Sequence, residues 1–145
     1  MTVKVVRHEF VDLIPEELAE GTIYVSIPYA TVVHKCLSGC GLEVVTPLSP
    51  MDWKLTFDGE TISLHPSIGN WGFSCRSHYW IRRDRVVWAP SWSRAQIERG
   101  RARDRATKDA YYQSKIGTSQ EPAPEGSHAK RKGFWSSLKG WFSQL

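Results

Sequence analysis

All three cysteines of the chain fall in two short pieces, Val33 to Cys40 (V-H-K-C-L-S-G-C) and Cys75-Arg76-Ser77-His78. Cys36 and Cys40 sit four apart with Gly39 and Gly41 flanking the second, and Cys75 and His78 have the C-x2-H spacing. A fold that uses both pieces must bring two distant loops to one point, which constrains it more than any average property does. Soft thiolates and imidazole suit a tetrahedral zinc ion, and Cys36, Cys40, Cys75 and His78 make a complete set of four ligands. His34, two residues before Cys36, is an alternative ligand or a partner to one. The competing reading is three small buried hydrophobes, and their concentration in two Gly/Ser-containing loops argues against it.

The length of 145 residues fits one domain plus a tail. An odd cysteine count and the lack of a charged n-region with an apolar h-region argue against a secreted disulfide scaffold. No apolar run approaches the roughly 18 residues needed to cross a bilayer. A cytoplasmic, reducing location is therefore expected. The net charge of +4 is uneven: residues 1–90 hold eight basic and ten acidic residues, residues 91–145 eleven and five. A nucleic-acid reader is expected to carry its basicity on the folded domain, so that function is disfavoured.

Val3–Val6, Thr22–Ile27, Ala30–His34, Leu42–Val45, Trp53–Phe57, Thr61–Leu64, Tyr79–Arg82 and Arg85–Trp88 read as short strands, with hairpin turns at Asp58-Gly59 and Arg83-Asp84. Leu13 to Leu18 has the Pro and acidic residues of a helical first turn. His65 to Gly72 has too much Gly and Pro for regular structure and reads as an irregular loop. The expected fold is mainly β: a small zinc-containing antiparallel β domain with one short helix over residues 1–90. Residues 91–117 form a basic, polar helix or a disordered segment, and 118–132 a flexible linker. In 133–145, Phe134, Trp135, Leu138, Trp141, Phe142 and Leu145 share one helical face behind Lys130-Arg131-Lys132. That segment suits either a membrane surface, with peripheral attachment, or a partner's groove.

A closed shell of four protein ligands makes zinc a staple, whereas an open position makes it a catalyst. If one ligand is absent, Glu43 could serve as general base, and Ser67, Asn70 or Ser77 could donate to an oxyanion. Bland readings stand beside these: an exposed strand carboxylate for Glu43, loop capping for Ser67 and Asn70. His65 borders the site without ligating; His8 and His128 look incidental.

The ordered string H-K-C-L-S-G-C-G-L-E-V-V-T-P-L, W-K-L-T, L-H-P-S-I-G-N-W, C-R-S-H-Y-W-I and V-V-W resembles the small bacterial family known as domain of unknown function 6527, from about Gly21 to Trp88. Its motif matches His34, Cys36, Cys40, Ser67, Asn70, Cys75, Ser77 and His78. Where that family often reads C-x-C-G-C, this chain has Ser38 in the middle, and His65 also departs from it. Members occur beside bacterial ubiquitin-like proteins and enzymes resembling ubiquitin-activating and ubiquitin-conjugating enzymes. The resemblance implies a zinc-binding member of a ubiquitination-like pathway. The expected activity is a zinc-dependent peptidase that processes or removes the ubiquitin-like protein, with zinc-bound water attacking and Glu43 or His34 handling protons. The alternative is a non-catalytic zinc-stabilised adaptor that binds the ubiquitin-like protein or its activating-like and conjugating-like enzymes through Trp53, Trp71 and Trp80.

Overall fold

The period-two alternation of the short apolar runs resolves into eight strands in two four-stranded sheets, followed by one helix. The structure, a computed structural model, describes residues 2–118. The expected linker beyond Thr118 and the amphipathic segment 133–145 lie outside these residues. The first sheet comprises β1 (Arg7–Phe10), β2 (Thr22–Ser26), β3 (Thr31–Lys35) and β4 (Glu43–Pro47), in that order. The second comprises β5 (Lys54–Phe57), β6 (Ile62–Gly69), β7 (His78–Arg82) and β8 (Arg85–Trp88), again in sequence order. Every neighbouring pair is antiparallel except β1–β2, which is parallel. The mainly β expectation holds.

One apolar core is drawn from both sheets. Ile23, Val25, Val32, Cys36, Leu37 and Val44 come from the first side, and Ile62, Leu64, Ile68, Tyr79 and Ile81 from the second. Alternation sends Tyr24 and Val33 to the other face of the first sheet, where Leu18, Val11 and Ile14 cover them. All of β2 is consequently buried. The expected helical turn at Leu13–Leu18 is absent: these residues run as bends. A parallel β1–β2 pair obliges the chain to travel back along the sheet between Phe10 and Thr22, and one isolated turn of helix is a costly nucleus.

The start of the chain also differs from expectation. Residues 3–6 form no strand of the first sheet; Val3 N–H donates to the Leu37 carbonyl and Val6 N–H to the Asp84 carbonyl, and the Lys4 carbonyl accepts from Val86 N–H. This segment stitches the two sheets together. His8 belongs to the same seam, with Nδ1 3.0 Å from Asp84 Oδ2, while Asp84 Oδ1 accepts from Ile62 N–H.

Both expected hairpins form. At the first, Asp58 Oδ1 accepts from the amides of Glu60 and Thr61, and Gly59 takes a positive φ of 97°. The stretch His65 to Gly72 is less irregular than its composition suggests. β6 continues to Gly69 because β5 pairs with it through His65 and β7 from Ile68 onward. The irregularity is a bulge: between the partners Leu64↔Ile81 and Ile68↔Tyr79, β6 spends three residues, His65, Pro66 and Ser67, against Trp80 alone.

After β8 the chain enters α1 (Arg94–Thr118). Ser93 and Gln96 form a capping box: Gln96 N–H donates to Ser93 Oγ, and Ser93 N–H donates to Gln96 Oε1. No described helix is long and apolar enough to cross a membrane.

Candidate active site and metal centre

Two sites straddle the β6–β7 connection, Asn70 to Ser77. On one side the two cysteine loops meet. The Cys36–Leu42 loop is closed by Cys36 N–H to the Leu42 carbonyl and Gly39 N–H to the Cys36 carbonyl, with Gly39 at φ 83° and Gly41 at φ 77°. Glycine is required there, because a Cβ is strained in that region. Arg76, at φ 44°, turns the other loop. The sulfurs of Cys36, Cys40 and Cys75 all lie within 4.8 Å of one another, and Cys36 Sγ is 3.8 Å from Cys75 Sγ. Four bonds of about 2.3 Å around a tetrahedral zinc put adjacent sulfurs roughly 3.8 Å apart, so the spacing fits that ion.

The sulfurs have their own hydrogen-bond shell. Ser77 Oγ is 3.1 Å and Ser38 Oγ 3.2 Å from Cys36 Sγ, and Asn70 Nδ2 donates to Ser77 Oγ at 2.9 Å. Burial works against the Cys75 thiolate, but bonds from Ser38 and Ser77 outweigh it and hold its pKa down to about 6. At Cys36, burial prevails and pushes the thiol up despite the same two serines. The network runs on through Asn70 Nδ2 to Tyr79 Oη at 3.4 Å and from there to His34 Nε2 at 2.9 Å. Burial keeps Tyr79 protonated, so its hydroxyl donates to His34. His34 is fully enclosed, burial lowers its pKa to about 3, and its Nδ1 has no partner.

His78 faces the other way. Its Nε2 is 2.9 Å from Ser67 Oγ and its Nδ1 is 3.3 Å from the carbonyl oxygen of Pro90. A carbonyl can only accept, so Nδ1 carries the proton and Nε2 presents a lone pair to the Ser67 hydroxyl. Strand geometry makes the pair. Gly69 lies opposite His78 in the β6–β7 register, and Ser67, two residues before Gly69, falls on the same face. The bulge at 65–67 aims the serine. Three indoles surround the imidazole: Trp71 at 4.9 Å, Trp92 at 5.0 Å and Trp80 at 5.5 Å between ring centroids. Trp71 and Trp92 are stacked on each other at 5.6 Å. Gly69 makes room for this arrangement, since a Cβ there would lie 2.5 Å from Trp71 Nε1.

Ser67 and His78 line a cleft of about 670 Å³ between the second sheet and α1. Trp53, Trp71 and Trp80, expected as partner contacts, all line it, as does Trp92. His65 also borders it. The other expected catalytic groups are elsewhere. Glu43 is exposed on β4 opposite Lys35, Asn70 and Ser77 serve the cysteine sulfurs, and His34 is sealed in the core. The sequence reading missed Trp92 and the Pro90 carbonyl, which come from the segment after β8. Trp92 was visible as one more indole; a backbone acceptor leaves no trace in sequence.

A protein-family model described as "Bacterial ubiquitination-like system serine protease (BubE)" matches residues 10–89, more than half of the chain. No curated protein and no solved structure matches it. The pathway is the one the motif string implied, and the match assigns a protease-like role within it. The expected metallopeptidase chemistry is overturned: the family is one of serine proteases, and here a serine and an imidazole share the cleft while the cysteines face away from it. The chain belongs to this BubE family.

Proposed function

We propose that, as a member of the BubE serine protease family, this protein is a serine peptidase with Ser67 as nucleophile and His78 as general base. The observation that carries the reading is the 2.9 Å contact from Ser67 Oγ to His78 Nε2 in the wall of the cleft, with Nδ1 held by Pro90. Ser67 Oγ attacks the scissile carbonyl carbon as its proton passes to Nε2. Nε2 then returns that proton to the leaving nitrogen as the C–N bond breaks, and a water, deprotonated by the same imidazole, hydrolyses the acyl-serine. The Pro90 carbonyl does the orienting work that a carboxylate does in a triad, fixing the tautomer without adding a charge. The substrate is the pathway's ubiquitin-like protein, cleaved to process it or release it from a target.

Cys36, Cys40 and Cys75 would hold a zinc ion through three sulfurs, with His78, the expected fourth ligand, turned to Ser67 instead; the ion would supply a cross-link between two loops on the side away from Ser67. By fastening Cys75, three residues before His78, it would anchor the connection between the strands that carry the nucleophile and the base.

The test is covalent labelling by a fluorophosphonate together with turnover of the ubiquitin-like substrate. Labelling should map to Ser67, and Ser67→Ala and His78→Ala should each lower turnover about a thousandfold or more. Undiminished turnover in Ser67→Ala would sink the assignment.

A further inference from the structure

Helix α1 has 25 residues and a single buried one, Ile97. A helix polar on nearly all sides adds little apolar burial to a core and leaves most of its surface open to contacts. It carries seven basic and three acidic residues, whereas residues 1–90 are slightly acidic. It begins after the last family-matched residue, 89, and runs along the cleft that holds Ser67 and His78.

The charges on that wall do not cancel. The cleft's two carboxylates, Asp52 and Asp104, face three cations, Lys108, Arg101 and Arg103; Lys108 is bonded to Asp52, and the pairing holds Asp52 below the usual carboxylate range and raises Lys108. Arg101 and Arg103 also line the cleft, and neither has an ion-pair partner among the described residues. Arg99 and Arg105, on adjoining turns, extend the same field.

We propose that α1 is a docking surface for an acidic stretch of the polypeptide substrate, with Arg101 and Arg103 gripping its carboxylates beside the scissile segment. This rests on the reading of Ser67 as the nucleophile. A guanidinium fork matches a carboxylate in two bonds, and unpaired arginines at a cleft mouth steer an acidic partner in. Arginines beside tryptophans also suit single-stranded nucleic acid. Here, however, Trp71 and Trp92 stack on each other and against His78, and Trp80 packs on His78 with Arg82 over its ring, so three of the cleft's four indoles are already engaged.

The test uses the full chain carrying Ser67→Ala, so that binding is read without turnover. The probes are a short fluorescein-labelled Glu/Gly peptide and an oligothymidylate of equal charge, followed by anisotropy. The peptide should bind, and Arg101→Glu/Arg103→Glu should weaken it about tenfold at low salt, a difference that closes as salt rises. The same reversal at Arg83 and Arg85, exposed on the β7–β8 hairpin, should leave it unchanged. No peptide binding, an equal loss in the hairpin variant, or tighter binding of the oligothymidylate would each overturn the docking surface. Fluorophosphonate labelling of the native serine is a separate readout. Its failure would remove the nucleophile and leave the docking result standing.

Discussion

The cysteine knuckle and the Ser67–His78 pair sit on the two sides of one connection, yet they are built for opposite purposes. In the tetrapeptide Cys75-Arg76-Ser77-His78, Ser77 turns to the sulfur of Cys36 while its neighbour His78 turns to Ser67. Successive side chains entering a strand point to opposite faces, so one short motif serves two sites. The knuckle is tied into the core through Asn70, Tyr79 and His34. The serine pair opens into a cleft and is held by a backbone carbonyl and three indoles. The proximity teaches that a metal-like spacing next to a strand need not deliver every residue to one cluster.

The contrast can be broken most forcefully at Cys36. Structural zinc binding of about 10 kcal/mol is folding free energy, and a domain's whole stability is about 5–15 kcal/mol. Cys36→Ser should therefore lower the melting temperature sharply, strip bound zinc measured by elemental analysis, and lose peptidase activity through unfolding. Full stability without metal would show that the sulfurs are mere packing. His78→Ala, by contrast, should leave metal content unchanged.

A smaller effect lies in the inner network. His34 is held neutral with a pKa of about 3, against an unfolded value near 6.5, so the unfolded chain binds the extra proton. The contribution of His34 to stability should be whole above about pH 6.5 and fall by up to about 1.4 kcal/mol per pH unit below it, levelling as pH nears about 3. Urea unfolding between neutral and mildly acid pH should show this slope, and His34→Gln should flatten it.

The smallest expected effect sharpens the catalytic side. Gly69→Ala places a methyl against Trp71, the ring that packs on His78. A displaced imidazole should slow turnover roughly fivefold, about 1 kcal/mol of barrier, alongside a melting temperature lowered by about 1–3 kcal/mol of overpacking. Unchanged turnover at temperatures where the variant is folded would make Trp71 a packing residue only.

Much of the fold was legible because alternation, Asp58-Gly59 and the cysteine loops are local signals. β2, β3 and both hairpins follow from residues a few positions apart. The parallel placement of β1, the absent helix at Leu13–Leu18 and the continuation of β6 through Pro66 were not legible, because pairing with distant strands decided them. Ser93-Arg94-Ala95-Gln96 is a local signal too, and it explains why a segment with few apolar residues starts as a helix.

The sequence by itself determined that three cysteines would meet, since soft ligands in two glycine-bearing loops have few other uses, and that short alternating runs would build sheets. Only the tertiary structure decided which way each side chain at that meeting point faces. The direction of His78 depends on its register opposite Gly69, on the bulge that aims Ser67 and on a carbonyl supplied by Pro90. Those are long-range relations of backbone position, and spacing along a chain carries no record of them.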